Sequence, residues 1–138
     1  MIQIDKFIGI PYKDYGRDFD GCDCYGLVYL FYKHILHIDL PSFTDIYEHG
    51  NTESISVAIR KNLFCWQKVA MPEFGDCILF NLHGNGTHIG IFLSKLSFLH
   101  TVAFRKISCI ERLTHPFWKS RIEGFYRYVK DNSYATYL

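Results

Sequence analysis

Apolar residues at helical spacing follow directly on a polar turn rich in thiols and carboxylates. After Asp20-Gly21-Cys22-Asp23-Cys24, the residues Leu27, Leu30, Phe31 and Ile35 fall on one face. The pattern predicts a helix from Cys24 to near His37, capped by Asp23 and ended ahead of Leu40-Pro41, because the residue before a proline is pushed into an extended conformation. Residues 2–10 carry a short helical pattern that leads into Gly9-Ile10-Pro11-Tyr12. Lys13 to Asp20 and Ser42 to Thr52 read as loops, and a second helix is expected from Glu53 to Leu63, with Ile55, Ala58, Ile59 and Leu63 on one face and Thr52 as its cap. Beyond it the texture changes to strand. Met71 to Asp76 is a turn, Cys77-Ile78-Leu79-Phe80 a buried strand, and His83-Gly84-Asn85-Gly86 a loop. Strands are then expected at His88–Leu93, Phe98–Ala103 and Lys106–Leu113, with turns at Ser94 to Ser97 and near Phe104-Arg105, and a last strand at Gly124–Val129. Helices first and antiparallel strands afterwards define an α+β chain, with N-terminal helices packed on a sheet of four to six strands.

Composition narrows the function more than the fold. The 138 residues fit one domain, assigned to 1–130 with a polar tail at 131–138, and such a length buries a core without disulfides. The formal net charge is +1, from 15 basic and 14 acidic residues, which leaves no basic footprint for nucleic acid. No apolar run approaches the roughly 20 residues of a membrane span, so no membrane insertion is expected. The N-terminus lacks the features of a signal peptide. The expectation is a protein made in the cytoplasm and carried outward by other means. Five scattered cysteines do not form a secreted disulfide framework.

The candidate chemistry lies where the turn meets the helix. In the first turn, unpaired N–H groups and the positive end of the helix dipole favour a thiolate at Cys24. Cysteine is also among the most buried residue types, so plain packing competes with this reading. Zinc held by Cys22, Cys24 and histidines is a third reading, but no second C-x-x-C or H-x-x-x-H pair completes a recognised spacing, and no metal or other cofactor is expected. Nucleophilic catalysis further needs a base and a group that orients it. His88, at the start of a strand behind a glycine loop, and His100, on the next strand, are the candidates.

Taken together, Gly9-Ile10-Pro11-Tyr12, Asp23-Cys24-Tyr25-Gly26-Leu27-Val28 and Leu40-Pro41 resemble the cysteine motif of the NlpC-type cell-wall peptidases. Pro72 to Phe80 and Thr87-His88-Ile89-Gly90-Ile91-Phe92 resemble that family's second block, Phe98-Leu99-His100 its third catalytic position, and Trp118 with Arg121 to Arg127 its closing strand. The resemblance implies a papain-like fold with Cys24 as nucleophile, His88 as base and His100 as the orienting residue. It further implies Tyr12 and Asp23 near the substrate, Asp23 binding a free amine of the stem peptide, and cleavage of the bond between γ-linked D-glutamate and a diamino acid in peptidoglycan. Tyr25 stands where many bacterial members have serine and is expected to reshape the pocket. The wording around it is similar to the branch found in phage tails and gene-transfer particles, which implies tail-tip proteins as partners and action on the cell wall. The alternative is a structural tail-tip protein with weak or no activity.

Overall fold

The structure is a computed structural model that describes residues 3–44, 65–82 and 88–129. A 3-10 turn at Asp5–Phe7 is followed by a small ribbon of β1 (Arg17–Asp18) and β2 (Gly21–Cys22), and then by helix α1 (Cys24–Phe31). The helical path continues through a π turn at Tyr32–Leu36 and stops at His37, which is left-handed at φ 58°. That end agrees with the spacing of the apolar residues. The helix expected over residues 2–10 is reduced to the three-residue turn, because the backbone beyond it is claimed by another segment. Gly9 N–H donates to Ser108 O (2.9 Å), Ser108 N–H to Ile10 O (2.9 Å) and Tyr12 N–H to Lys106 O (2.8 Å).

Six strands form one sheet in which every pairing is antiparallel. In chain order they are β3 (Trp66–Val69), β4 (Cys77–Phe80), β5 (His88–Phe92), β6 (Ser97–His100), β7 (Cys109–Arg112) and β8 (Ile122–Tyr128), with a one-turn helix α2 (Pro116–Lys119) before β8. In space the order is β3-β8-β4-β5-β6-β7. The α+β expectation holds, with the sheet at the upper end of the expected strand count. β3 is the strand the sequence pattern did not single out: only Trp66 of its four residues is buried, with Gln67 and Lys68 exposed. The strand expected at Phe98–Ala103 ends at His100, where a 3-10 turn at Ala103–Arg105 takes over. The helix expected at Glu53–Leu63, the glycine loop at His83–Gly86, most of the Ser42–Thr52 loop and the 131–138 tail lie outside the described residues.

Side-chain alternation gives the sheet two buried faces. Cys77, Leu79, Ile89, Ile91 and Leu99 join Leu27, Val28 and Phe31 of α1 in one core. Ile78, Phe80, Phe92 and Phe98 pack on the other face around Trp118, which is fully buried. His88 and His100 share that second face, their rings 5.6 and 4.7 Å from the Trp118 ring.

Candidate active site

Helix α1 begins where the sequence places it, and the cap explains why. Asp23 is extended (φ −93°, ψ −172°) and its Oδ1 accepts the Gly26 N–H at 2.8 Å. This satisfies one of the donors that a helix start leaves orphaned. The same oxygen receives Arg17 Nη1 at 2.8 Å, and Oδ2 receives the Tyr15 N–H at 3.0 Å. With 1% exposure, both Asp23 oxygens are occupied by donors from the protein itself. The amine-binding role expected of Asp23 therefore meets a carboxylate already committed to the helix cap.

Cys24 is the first residue of α1 and 5% exposed. Its neighbour Cys22 is fully buried, and burial, reinforced by the nearby Asp23 and Cys24, pushes its thiol up to about 12. Neither thiol is in a disulfide. Of the two, only Cys24 stands at the helix N-terminus, and Cys22 is held as the protonated thiol.

Tyr25 points into the protein. It is 1% exposed, its hydroxyl donates to Pro41 O at 2.7 Å, and its ring packs on Phe43 and beneath the Arg17 guanidinium. Its bulk ties the segment after the helix back onto α1. Tyr12 is half-buried beside β2, with its hydroxyl 3.5 Å from Asp14 Oδ1.

The two histidines meet as the sequence reading expects. His88 opens β5, His100 closes β6, and His88 Nε2 lies 2.9 Å from His100 Nδ1. His100 Nε2 lies 2.7 Å from Glu111 Oε2. Burial pushes His88 well below the usual histidine range, and the neighbouring His100 pushes in the same direction. Burial also lowers His100, to about 4, against the opposing pull of its Glu111 hydrogen bond. The contact between His100 and Glu111 is therefore a neutral imidazole on a carboxylate near neutral pH, not a full ion pair.

The tertiary route that brings the thiol toward these rings runs through the N-terminal segment. Pro11 bridges to Ile107 and Tyr12 to Cys22, so β2 and the start of α1 are delivered to the sheet end where β6 finishes and β7 begins. β5 also begins at that end, and α1 packs against it. Cys24 thus stands on the α1 side of this end, and the His88–His100 pair on the Trp118 side.

Sequence reasoning passed over Glu111 and Arg105. The available signal was parity: in the expected strand Lys106–Leu113, the residues Cys109, Glu111 and Leu113 share one face, and an acid between a cysteine and a leucine on an inward face needs a partner. Among the described residues, His100, Cys109 and Glu111 also form a group whose ligand-type atoms lie within 4.8 Å of one another, but Arg105 already places a cation on that carboxylate. Cys22 and Cys24, the thiols of the zinc reading, belong to no such group among the described residues.

An antiparallel sheet carrying paired histidines, packed on a helix that opens with a capped cysteine, defines an α+β domain. Residues 9–127 match the model of the NlpC/P60 family, and the chain belongs to that family. It is 29% identical over 122 residues to the murein DD-endopeptidase MepS/murein LD-carboxypeptidase of Escherichia coli K12, covering 88% of this chain and 57% of that protein. It is 28% identical over 131 residues to the gamma-DL-glutamyl hydrolase of Bacillus subtilis 168, covering 91% of this chain and 28% of that one. The chain thus spans little more than half of the first of these relatives and under a third of the second. Among solved structures, an NLP/P60-family, lipoprotein-like protein of Staphylococcus aureus Mu50 superposes with a TM-score of 0.66 at 22% identity, over 91% of this chain and 39% of that one, a likeness of fold.

Proposed function

We propose that this domain is a cysteine peptidase that hydrolyses peptidoglycan stem peptides, with Cys24 as nucleophile, His88 as base and His100 as the residue that orients the base. The observation that carries the reading is the hydrogen-bonded chain His88–His100–Glu111, set at the same sheet end as a helix N-terminus that bears a cysteine. In this mechanism the Cys24 Sγ–H proton passes to His88 Nδ1 and the thiolate attacks the scissile carbonyl carbon. The Cys24 N–H, in the first turn of α1, faces the developing oxyanion. His88 then returns the proton to the leaving amine, and water releases the acid from the thioester. Support for the substrate class comes from family membership and from relatives named as murein and gamma-glutamyl hydrolases. The γ-D-glutamyl–diamino acid bond is the bond proposed.

The Asp-Cys-Tyr-Gly-Leu-Val wording supports carriage in a phage or phage-like tail, with tail-tip proteins as partners and the cell wall as the site of action. One observation favours a second reading. Cys24, His88 and His100 are 5%, 2% and 0% exposed, as a structural tail-tip component with weak or no turnover would have them.

The deciding experiment is mass spectrometry of defined tripeptide and tetrapeptide stems after incubation with the wild type and with Cys24→Ala. Cleavage by the wild type alone supports the peptidase and names its bond. Stable co-purification with tail proteins and no cleavage by either form would favour the structural reading.

A further inference from the structure

The histidine pair does not end the hydrogen-bonded chain. Glu111 stands on the edge strand β7, opposite Phe98 and diagonal to His100, with its side chain 16% exposed. Its Oε2 receives His100 Nε2 at 2.7 Å and Arg105 Nε at 3.1 Å, and its Oε1 receives Arg105 Nη2 at 3.0 Å and Trp118 Nε1 at 3.1 Å. Three elements supply these donors: β6, the 3-10 turn after it, and α2. A carboxylate held in two directions by a guanidinium fork and an indole cannot rotate away from His100.

We propose that Glu111 is a positioning residue for catalysis: clamped by Arg105 and Trp118, it fixes the hydrogen-bond polarity of both imidazoles and so leaves His88 Nδ1 as the proton acceptor. The proposal rests on the assignment of Cys24 and His88 above. Its logic is donor counting. Arginine and tryptophan nitrogens only donate, and an ionised carboxylate only accepts. His100 Nε2 must therefore carry the hydrogen. A neutral imidazole has one, so His100 Nδ1 accepts, and the hydrogen in the 2.9 Å contact belongs to His88 Nε2. His88 has then used its own hydrogen, and its Nδ1 holds a lone pair. When Sγ–H breaks and Nδ1–H forms, the positive charge on His88 is matched through His100 by the Glu111 carboxylate.

The electrostatics agree with this polarity. Burial raises the Glu111 carboxyl, but hydrogen bonds from His100, Trp118 and Arg105 outweigh it and hold the group below its ordinary value. The titratable and charged groups facing this chain are Arg105 from the turn, Cys109 of β7, whose Sγ is 3.8 Å from Oε2, and the histidines themselves. Burial raises the Cys109 thiol, so it stays neutral.

Glu111→Gln is the informative substitution. Arg105 and Trp118 hold the amide oxygen at the Oε1 position, which turns the NH2 toward His100 Nε2. Donor then meets donor, both imidazoles switch tautomer, and the His88 hydrogen moves to Nδ1, where it blocks the base. The first readout needs no substrate: the rate of Cys24 alkylation by iodoacetamide against pH, located by peptide mass spectrometry. The wild type is expected to show an enhanced rate that depends on His88, and Glu111→Gln to lose that enhancement and its pH inflection. With stem peptides, kcat is expected to fall on the order of 10²-fold with KM little changed, and Glu111→Asp to recover part of the loss. Arg105→Met provides a second route if Glu111→Gln does not fold: loss of the guanidinium lets the carboxyl and His100 titrate higher, so the acid limb of the alkylation profile moves up in pH. Should Cys24 alkylate alike in the wild type and in His88→Gln, the Cys24–His88 assignment itself fails. A His88-dependent enhancement that survives in Glu111→Gln, or an acid limb unmoved in Arg105→Met, overturns the role of Glu111 alone.

Discussion

Asp23→Ala separates two roles for the same carboxylate, helix cap and substrate ligand. Three losses follow from the geometry. Loss of the Gly26 N–H cap costs about 1 kcal/mol. The Tyr15 N–H, stripped of Oδ2, costs about 2 kcal/mol as a shielded donor without its acceptor. The Arg17 side chain, 12% exposed, loses its counter-ion but keeps Gly16 O at 2.8 Å and Ser42 O at 2.7 Å, which limits that loss to about 1 kcal/mol. The sum, about 4 kcal/mol, lowers the Tm of a domain this size on the order of 15 °C. Thermal melting followed by circular dichroism measures it, and Asp23→Asn is expected to fall between the two because it keeps an oxygen for the cap. A variant that melts within about 3 °C of the wild type, a loss under roughly 1 kcal/mol, yet no longer cleaves stems with a free amine, would refute the capping argument and make Asp23 a substrate ligand.

Other consequences follow from the same contacts. Cys24→Ala is expected to stay within about 1 kcal/mol of wild-type stability, a small change at a well-packed site, while abolishing turnover in the stem-peptide assay. Gly26→Ala is expected to cost about 3 kcal/mol or prevent folding, since its added Cβ would lie 2.0 Å from Gly16 O, and urea midpoints would show it. Stability is also expected to fall on acidification. His100 titrates at about 4 when folded against 6.5 in the open chain, so between those values the unfolded state binds a proton the native state refuses. The loss from pH 7 to 4 is about 3 kcal/mol for His100, and the lowered His88 adds to it with the same sign. Urea midpoints that do not change over this range would mean that the two rings are hydrated, not buried.

Much of the local structure was legible in the chain because local rules govern it. The start of α1 is set by Asp23 and the apolar spacing behind it, and its end near His37 by the approach to Leu40-Pro41. The strand from Cys77 and the strand from His88 follow from apolar runs bounded by turns. The pairing of His88 with His100 was also foreseen, since two adjacent antiparallel strands leave few alternatives.

Tertiary structure decided what depends on residues distant in sequence. The segment Gly9–Tyr12 is extended because Lys106 and Ser108 offer it hydrogen-bond partners, and no local preference encodes that pairing. β3 is defined by its antiparallel pairing with β8, which two exposed polar residues among its four do not signal. Asp23 became a cap with both oxygens filled because Tyr15 and Arg17 fold over it, so a charge that reads as available in the chain is spent inside the fold. Glu111 gained its position the same way: Arg105, Trp118 and His100 converge on it from three elements. Periodicity shows which face a residue occupies, but which donors meet a carboxylate on that face is settled only when the sheet closes.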